Sequence, residues 1–245
     1  MSGTFHYRRF VLLSVAIMCA AVVLLAVAYR HRLFPRGGTG GAMFPSSAVY
    51  PLRGVDLSRH NGTVDFDLLA DSIDFVYLKA TEGRAHRDPR FARNYVKAVN
   101  AGLRVGAYHF FRFDVDGESQ AENLLWVIRR LPLDLPPAID VESAGQSSGN
   151  HPDKTVRERI VDMVRVLRAA GHDSIVIYTN KNGLAHYLDH EELRKCGLWI
   201  SSFTDPPVSP LAGVEWDVWQ FSHSGRLPGV DGDVDLNVQN PRRID

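Results

Sequence analysis

Asp140 and Glu142 close the short stretch PPAIDVES, residues 136–143, with Val141 between them. In a strand, side chains two positions apart share a face, and a rise of about 3.3 Å per residue sets their Cα atoms roughly 6.6 Å apart. Two acids side by side at the mouth of a fold suit acid/base or nucleophilic work on a sugar bond. Retaining glycosidases hold their carboxyl pair about 5–5.5 Å apart and inverting ones about 6.5–9.5 Å apart. Strand spacing alone does not choose between them. A plainer reading is that one acid caps the next helix and the other meets a surface arginine.

The elements that would carry these acids recur along the chain. Short apolar runs form eight candidate strands: GVDLS (54–58), DFVYLKAT (74–81), RVGAYHFF (104–111), PAIDVE (137–142), SIVIYTN (174–180), LWISSF (198–203), DVWQFS (217–222) and VDLN (234–237). Such near-continuous apolar strands fit a parallel sheet covered on both faces. Helical spacing follows at Phe91, Tyr95, Ala98 and Val99, at Leu124, Leu125, Ile128 and Leu131, and at Val156, Ile160, Val164 and Leu167, with Gly171 as a stop. The later gaps are shorter and rich in Pro and Gly. The pattern predicts an α/β fold, an irregular β/α barrel of about eight strands with several outer helices missing. A doubly wound open sheet is the structural alternative.

Chemistry in such a barrel sits at the carboxyl ends of the strands. Asp56 falls near the end of the first candidate strand, Asp140 and Glu142 at the fourth, and Asp235 in the last. Closure would make the first and last strands neighbours and bring Asp56 to Asp235. Glu82 follows the second strand, and Tyr108 and His109 lie in the third. His109 reads as a packed core histidine, and Lys79 as an ion-pair partner for one of the acids. Trp219 could be a sugar-stacking wall or interior bulk, whereas Trp216 reads as packing.

The chain carries 28 basic and 28 acidic residues among 245, with no clustered basic face of the kind nucleic acid requires. Its two cysteines, Cys19 and Cys196, are too few for a disulfide framework, and Cys196 reads as a quiet buried thiol. After a tail, 1–9, residues 10–29 contain no charge and match the ~20 apolar residues that span a bilayer. They are expected to be a transmembrane signal anchor, or a signal peptide cut after the Ala26-Val27-Ala28 triplet. Residues 30–51 read as a flexible linker, residues 52–240 as the catalytic barrel, and 241–245 as a C-terminal tail. The barrel would then lie outside the cytoplasm, held at the membrane or secreted, and act as a monomer.

Seven motifs in order resemble glycoside hydrolase family 25, the lysozyme-type muramidases. They are GVDLSRHNG (54–62), FVYLKATEG (75–83), DPRFARNYVKAVNAGLRVGAYHFFR (88–112), PPAIDVE (136–142), IVIYTN (175–180), LWISSF (198–203) and WQFSHSGRLPGVDGDVDLN (219–237). The resemblance implies hydrolysis of the β-1,4 bond between N-acetylmuramic acid and N-acetylglucosamine in peptidoglycan, with no cofactor and no metal. It places Glu142 as proton donor and later base. Asp140 would be charge stabiliser, acetamido orienter or nucleophile, and Asp56 and Asp235 would hold the network and the sugar. Glu82, Tyr108, Tyr178 and Trp219 would contact substrate. Phe221, where tyrosine is frequent, and the ending of LWISSF depart from the family pattern without removing a carboxylate.

Two other readings remain from the residues alone. The same acids with His109 could hold a divalent ion in a metal-dependent hydrolase, or the domain could bind the wall without cutting it.

Overall fold

The structure, a computed structural model, describes residues 43–146, 151–203, 207 and 215–243. The expected membrane segment 10–29, most of the linker and Cys19 lie outside the described residues. Among the described residues, no helix is long and apolar enough to cross a membrane.

The strands are β1 (Arg53–Leu57), β2 (Phe75–Glu82), β3 (His86–Arg87), β4 (Arg104–Phe110), β5 (Ala138–Asp140), β6 (Val176–Asn180), β7 (Gly197–Ser201), β8 (Val218–Gly225) and β9 (Val234–Gln239). They form one sheet in the order β1-β9-β8-β7-β6-β5-β4-β2-β3, and pairing of β1 with β2 closes it. With the two-residue β3 set aside as an appendage of β2, a ring of eight strands remains. All eight coincide with the expected apolar runs.

The helices are α1 (Phe66–Leu69), α2 (Phe91–Asn100), α3 (Gly117–Ile128), α4 (Asp153–Ala169), α5 (Lys181–Tyr187) and α6 (Glu191–Arg194). The three long ones fall where the apolar spacing put them. Capping side chains set several starts: Asp116 accepts from the Ser119 amide at 2.7 Å, and Asn180 from the Gly183 amide at 2.9 Å. On α2, Val99 is 43 % exposed and Asn94 is buried instead. The face centred on Phe91, Tyr95 and Ala98 includes position 94 and leaves 99 turned away.

One strand departs from the expected parallel sheet. β9 runs antiparallel to both of its neighbours, β1 and β8. The described link between β8 and β9, residues 226–233, contains no helix. Without a crossover the chain cannot return to the far end of the barrel, so it turns back as a hairpin.

Strand alternation divides the apolar residues into two cores. Outward-facing Val55, Val76, Leu78, Ile139, Val141, Ile177 and Ile200 pack under the helices with Leu124, Ile160, Val164 and Leu167. Inward-facing Phe75, Tyr77, Ala138, Val176, Trp199 and Val218 fill the barrel interior. Tyr77 stacks on Trp199 with ring centroids 4.7 Å apart. This plug makes the lumen a packed floor rather than a pore, and the polar residues above it line a pocket.

Candidate active site

Above the floor the same alternation turns polar. Asp140 and Glu142 extend the inward series begun by Ala138, while Ile139 and Val141 face the outer core. The backbone around them is pinned on both sides. The Val141 amide donates to the Tyr178 carbonyl at 2.8 Å, and Thr179 Oγ1 donates to the Val141 carbonyl at 2.7 Å. Gln146 Nε2 donates to the Glu142 carbonyl at 2.8 Å and to that of Phe111 at 2.8 Å. The loop carrying Glu142 is thus tied to strands on either side, as a positioned acid requires.

Asp56, Asp140, Glu142 and Asp235 line one pocket of about 340 Å³. Lys79, Tyr108, Tyr178 and Gln220 join them, with Trp199 at the floor and Ser58, His60, Phe110, Phe203 and His223 completing the lining. Asp56 faces Asp235 directly in the β1–β9 register. Asp235 reaches the mouth from the amino-terminal end of its strand because β9 runs backwards. The expected meeting of the two residues therefore occurs by a different route from the expected parallel closure.

Asp56 accepts from Asn237 Nδ2 at 2.8 Å and from Gln220 Nε2 at 3.0 Å. Tyr178 O–H donates to Gln220 Oε1 at 2.9 Å, and the Trp199 indole N–H to Asn237 Oδ1 at 2.8 Å.

Burial dominates the electrostatics. It raises Asp140 well above the usual carboxylate range, with the negative charges of Glu142 and Asp56 adding to the effect. It raises Glu142, Asp56 adding and Lys79 opposing. Asp56 is also raised by burial, against the pull of its Asn237 and Gln220 hydrogen bonds. Asp235 is pushed up to about 8 by burial and by its contact with Asp56. Four neighbouring acids in a half-dry pocket cannot all ionise at neutral pH. The site therefore retains carboxyl protons, which general acid catalysis needs.

Asp140 Oδ1 is buried and meets no donor among the described residues. Tyr108 and Tyr178 are held as neutral phenols, first by burial and then by the surrounding acids.

Other expected site residues are placed differently. Lys79 pairs with an acid as expected, and that acid is Glu82, at 2.8 Å. Arg112 approaches Glu82 at 3.7 Å. Burial works to raise Glu82, but the hydrogen bond and charge of Lys79 outweigh it and hold the carboxyl below its ordinary range. Glu82 does not line the pocket; it orders Lys79, which does.

Trp219 is corrected from substrate contact to packing. Its indole N–H donates to the Ser202 carbonyl at 2.7 Å, and its ring meets Tyr50, Trp216 and Phe221 outside the lumen. Adjacent strand positions face opposite ways, so the inward place falls to Gln220. Trp216 packs in the same group, as expected.

His109 is fully buried, hydrogen-bonded through Nδ1 to Thr81 Oγ1 at 2.7 Å and through Nε2 to Gln120 Oε1 at 3.0 Å. Burial lowers it to about 4, so it is a neutral core histidine. Cys196 is likewise a buried free thiol, pushed up to about 11 by burial. Among the described residues, no group of three or more His, Cys, Asp or Glu side chains is arranged to hold a metal ion.

Trp199 and Gln220 were not singled out from the sequence. A glutamine inside an apolar strand, in phase with the acids of neighbouring strands, is the signal that could have found the latter.

Comparison with known proteins agrees with this geometry. The sequence model for glycosyl hydrolases family 25 matches residues 55–230. Lysozyme M1 of Streptomyces globisporus is 31% identical over 209 residues, covering 77% of this chain and 68% of its own. The solved structure of a family 25 glycosyl hydrolase from Bacillus anthracis superposes with a TM-score of 0.72 at 31% identity, covering 83% of this chain and 94% of the other. A bacterial lysozyme from Streptomyces coelicolor gives 0.68 at 30% identity, covering 77% and 92%. The chain belongs to glycosyl hydrolases family 25. It is a glycoside hydrolase of the lysozyme type.

Proposed function

We propose that this hydrolase cleaves peptidoglycan at the β-1,4 bond between N-acetylmuramic acid and N-acetylglucosamine, with retention. The observation that carries the reading is the convergence of Asp56, Asp140, Glu142 and Asp235 on one pocket above an aromatic floor. Glu142, the acid whose proton is favoured by burial and by Asp56, protonates the departing glycosidic oxygen. The same carboxylate then takes a proton from the water that completes hydrolysis.

Asp140 Oδ1 meets no donor among the described residues, so it suits an N–H or O–H of the sugar. Accepting from the acetamido N–H would hold that group beneath the anomeric carbon and offset the positive charge that develops there. Lys79, Tyr108 and Tyr178 stand around the same space as contacts for the glycan.

The uncharged segment 10–29 and a wall substrate support a reading in which the domain works outside the cytoplasm, tethered through the linker. A carboxyl-terminal reporter active in the cytoplasm would contradict that placement.

The test of the chemistry is digestion of purified peptidoglycan, with mass spectrometry of the released fragments. New reducing ends on N-acetylmuramic acid are expected, and Glu142→Gln should abolish them while wall binding persists. Reducing N-acetylglucosamine ends, or full lysis by Glu142→Gln, would reject the assignment. Wall binding without any new reducing end would favour a silent binding module.

A further inference from the structure

The Asp56–Asp235 pair raises a question that the acid/base roles above leave open: which of the two carries a proton, and what decides it. Asp56 Oδ2 accepts two amide N–H bonds, from Asn237 at 2.8 Å and Gln220 at 3.0 Å. Both donors are buried, Asn237 completely, and they face each other across the β8–β9 register.

We infer that Gln220 and Asn237 are positioning residues that fix Asp56 as the ionised member of the pair and leave a single proton on Asp235. The inference rests on the muramidase reading of the site and specifies the protonation state in which that site works.

The orientation of Asn237 follows from hydrogen-bonding capacity. An indole N–H can only donate, so the amide edge facing Trp199 Nε1 must be the Asn237 oxygen. Its NH₂ is therefore committed to Asp56. Trp199 in turn is locked by stacking on Tyr77 and by its edge contact with Tyr178, whose ring centroid lies 5.0 Å away. Gln220 is set in the same sense, since reversing its amide would turn its oxygen against the Asp56 carboxylate.

An oxygen already accepting two N–H bonds has its lone pairs engaged and is a poor place for a proton. Hydrogen bonds to the charged form favour that form. Asp235 has no corresponding amide donors among the described residues; its side chain bonds to Asp56. Two carboxyl groups in contact need one proton between them, and the asymmetry of donors puts it on Asp235.

The fixed negative charge on Asp56 then acts on the next acid. It disfavours ionisation of Glu142 and so helps keep the proton that Glu142 delivers. Gln220 and Asn237 would thus act on catalysis through Asp56.

The experiment compares wild type and Gln220→Met, which keeps length but removes the donor. One readout is the pH profile of wall lysis; the other is a ¹³C-carboxyl NMR titration of aspartate-labelled protein. Asp56→Asn and Asp235→Asn assign the two resonances. In Gln220→Met the Asp56 titration and the acidic limb of the activity profile should both move up by about one pH unit, the effect of losing one hydrogen bond to a charged group. Activity on that limb should fall about tenfold, and less at the optimum.

Gln220→Glu changes only NH₂ to oxygen and carries the test if Gln220→Met does not fold. Protonated, it can donate to Asp56; ionised, it cannot. Its activity should survive in acid and collapse towards neutrality.

A profile of unchanged shape that is merely scaled down, or an unmoved Asp56 titration, would overturn the inference. If wild type releases no muramic acid reducing ends, the functional reading fails, and the NMR titration still decides the protonation assignment.

Discussion

Asp56 on β1 stands opposite Asp235 on β9, and the two carboxyl groups share a hydrogen bond. A folded pKa of about 8 for Asp235, against an ordinary 3.8, has a consequence for stability. A raised carboxyl contributes stability that is fully present below about pH 4 and is lost as pH rises through about 8. At neutral pH the fold therefore bears part of the cost of keeping this site acidic. Asp235→Asn retains a donor towards Asp56 and removes the titration. It should stabilise the domain at pH 7 by about 1 kcal/mol or more, roughly 2–4 °C in melting temperature. Calorimetry at pH 4 and pH 7 checks this, since the gain should shrink at the lower pH.

His109 has the opposite sign. Burial depresses it from 6.5 to about 4. Its contribution is present above about pH 6.5 and is lost as pH falls towards 4, because the unfolded chain takes up a proton that the folded chain refuses. The loss across that window should be about 3 kcal/mol from this residue. Urea unfolding of wild type and His109→Gln at pH 7 and pH 4.5 tests it, with the variant showing the weaker acid sensitivity.

Close approach of helices supplies a purely structural prediction. A Cβ added at Gly117, the first residue of α3, would collide with backbone atoms of Arg159 and Met163 on α4. Backbone yields less readily than a side-chain tip, so Gly117→Ala should destabilise by roughly 1–3 kcal/mol or more. The pocket lies elsewhere, so specific activity per folded molecule should hold. Chemical denaturation alongside an active-fraction assay separates the two effects.

Much of this architecture was legible because burial leaves a plain record. Strands covered on both faces are apolar throughout, and all eight ring strands showed in that way. The three long helices showed through their 3.6-residue spacing. Short α1, α5 and α6 left little periodicity to read, and the Gly183 within α5 argued against a helix. The four carboxylates were found because acids at strand ends are unusual in an otherwise apolar pattern. Glu82 stands in register with the pocket-lining Phe110, but its carboxylate is taken up by Lys79, a pairing that residue type does not reveal. Trp219 was misplaced by phase. Residue type says that a side chain is polar or aromatic, while phase within the strand decides which face it occupies. Phase also hides the reversal of β9, since VDLN reads alike in either direction.

The rim and the outer wall give a final pair of predictions that should separate cleanly. Phe203 is 53 % exposed at the pocket edge, its ring against His223 with centroids 4.7 Å apart. An exposed aromatic pair beside a sugar site gives a flat apolar face for a pyranose ring, while its removal opens no buried cavity. Phe203→Ala should raise KM about tenfold, the effect of losing about 1.4 kcal/mol of contact, with kcat and melting temperature little changed. Trp219 is the converse case, 6 % exposed within the cluster of Tyr50, Trp216 and Phe221. Trp219→Ala should destabilise by about 3–5 kcal/mol, the usual result of emptying a buried indole site, and leave KM of the folded fraction unchanged. Kinetics on soluble glycan fragments, with denaturation curves for both variants, measure all four quantities. If Trp219→Ala raised KM and Phe203→Ala did not, the phase assigned to β8 and the position of the glycan would both be wrong.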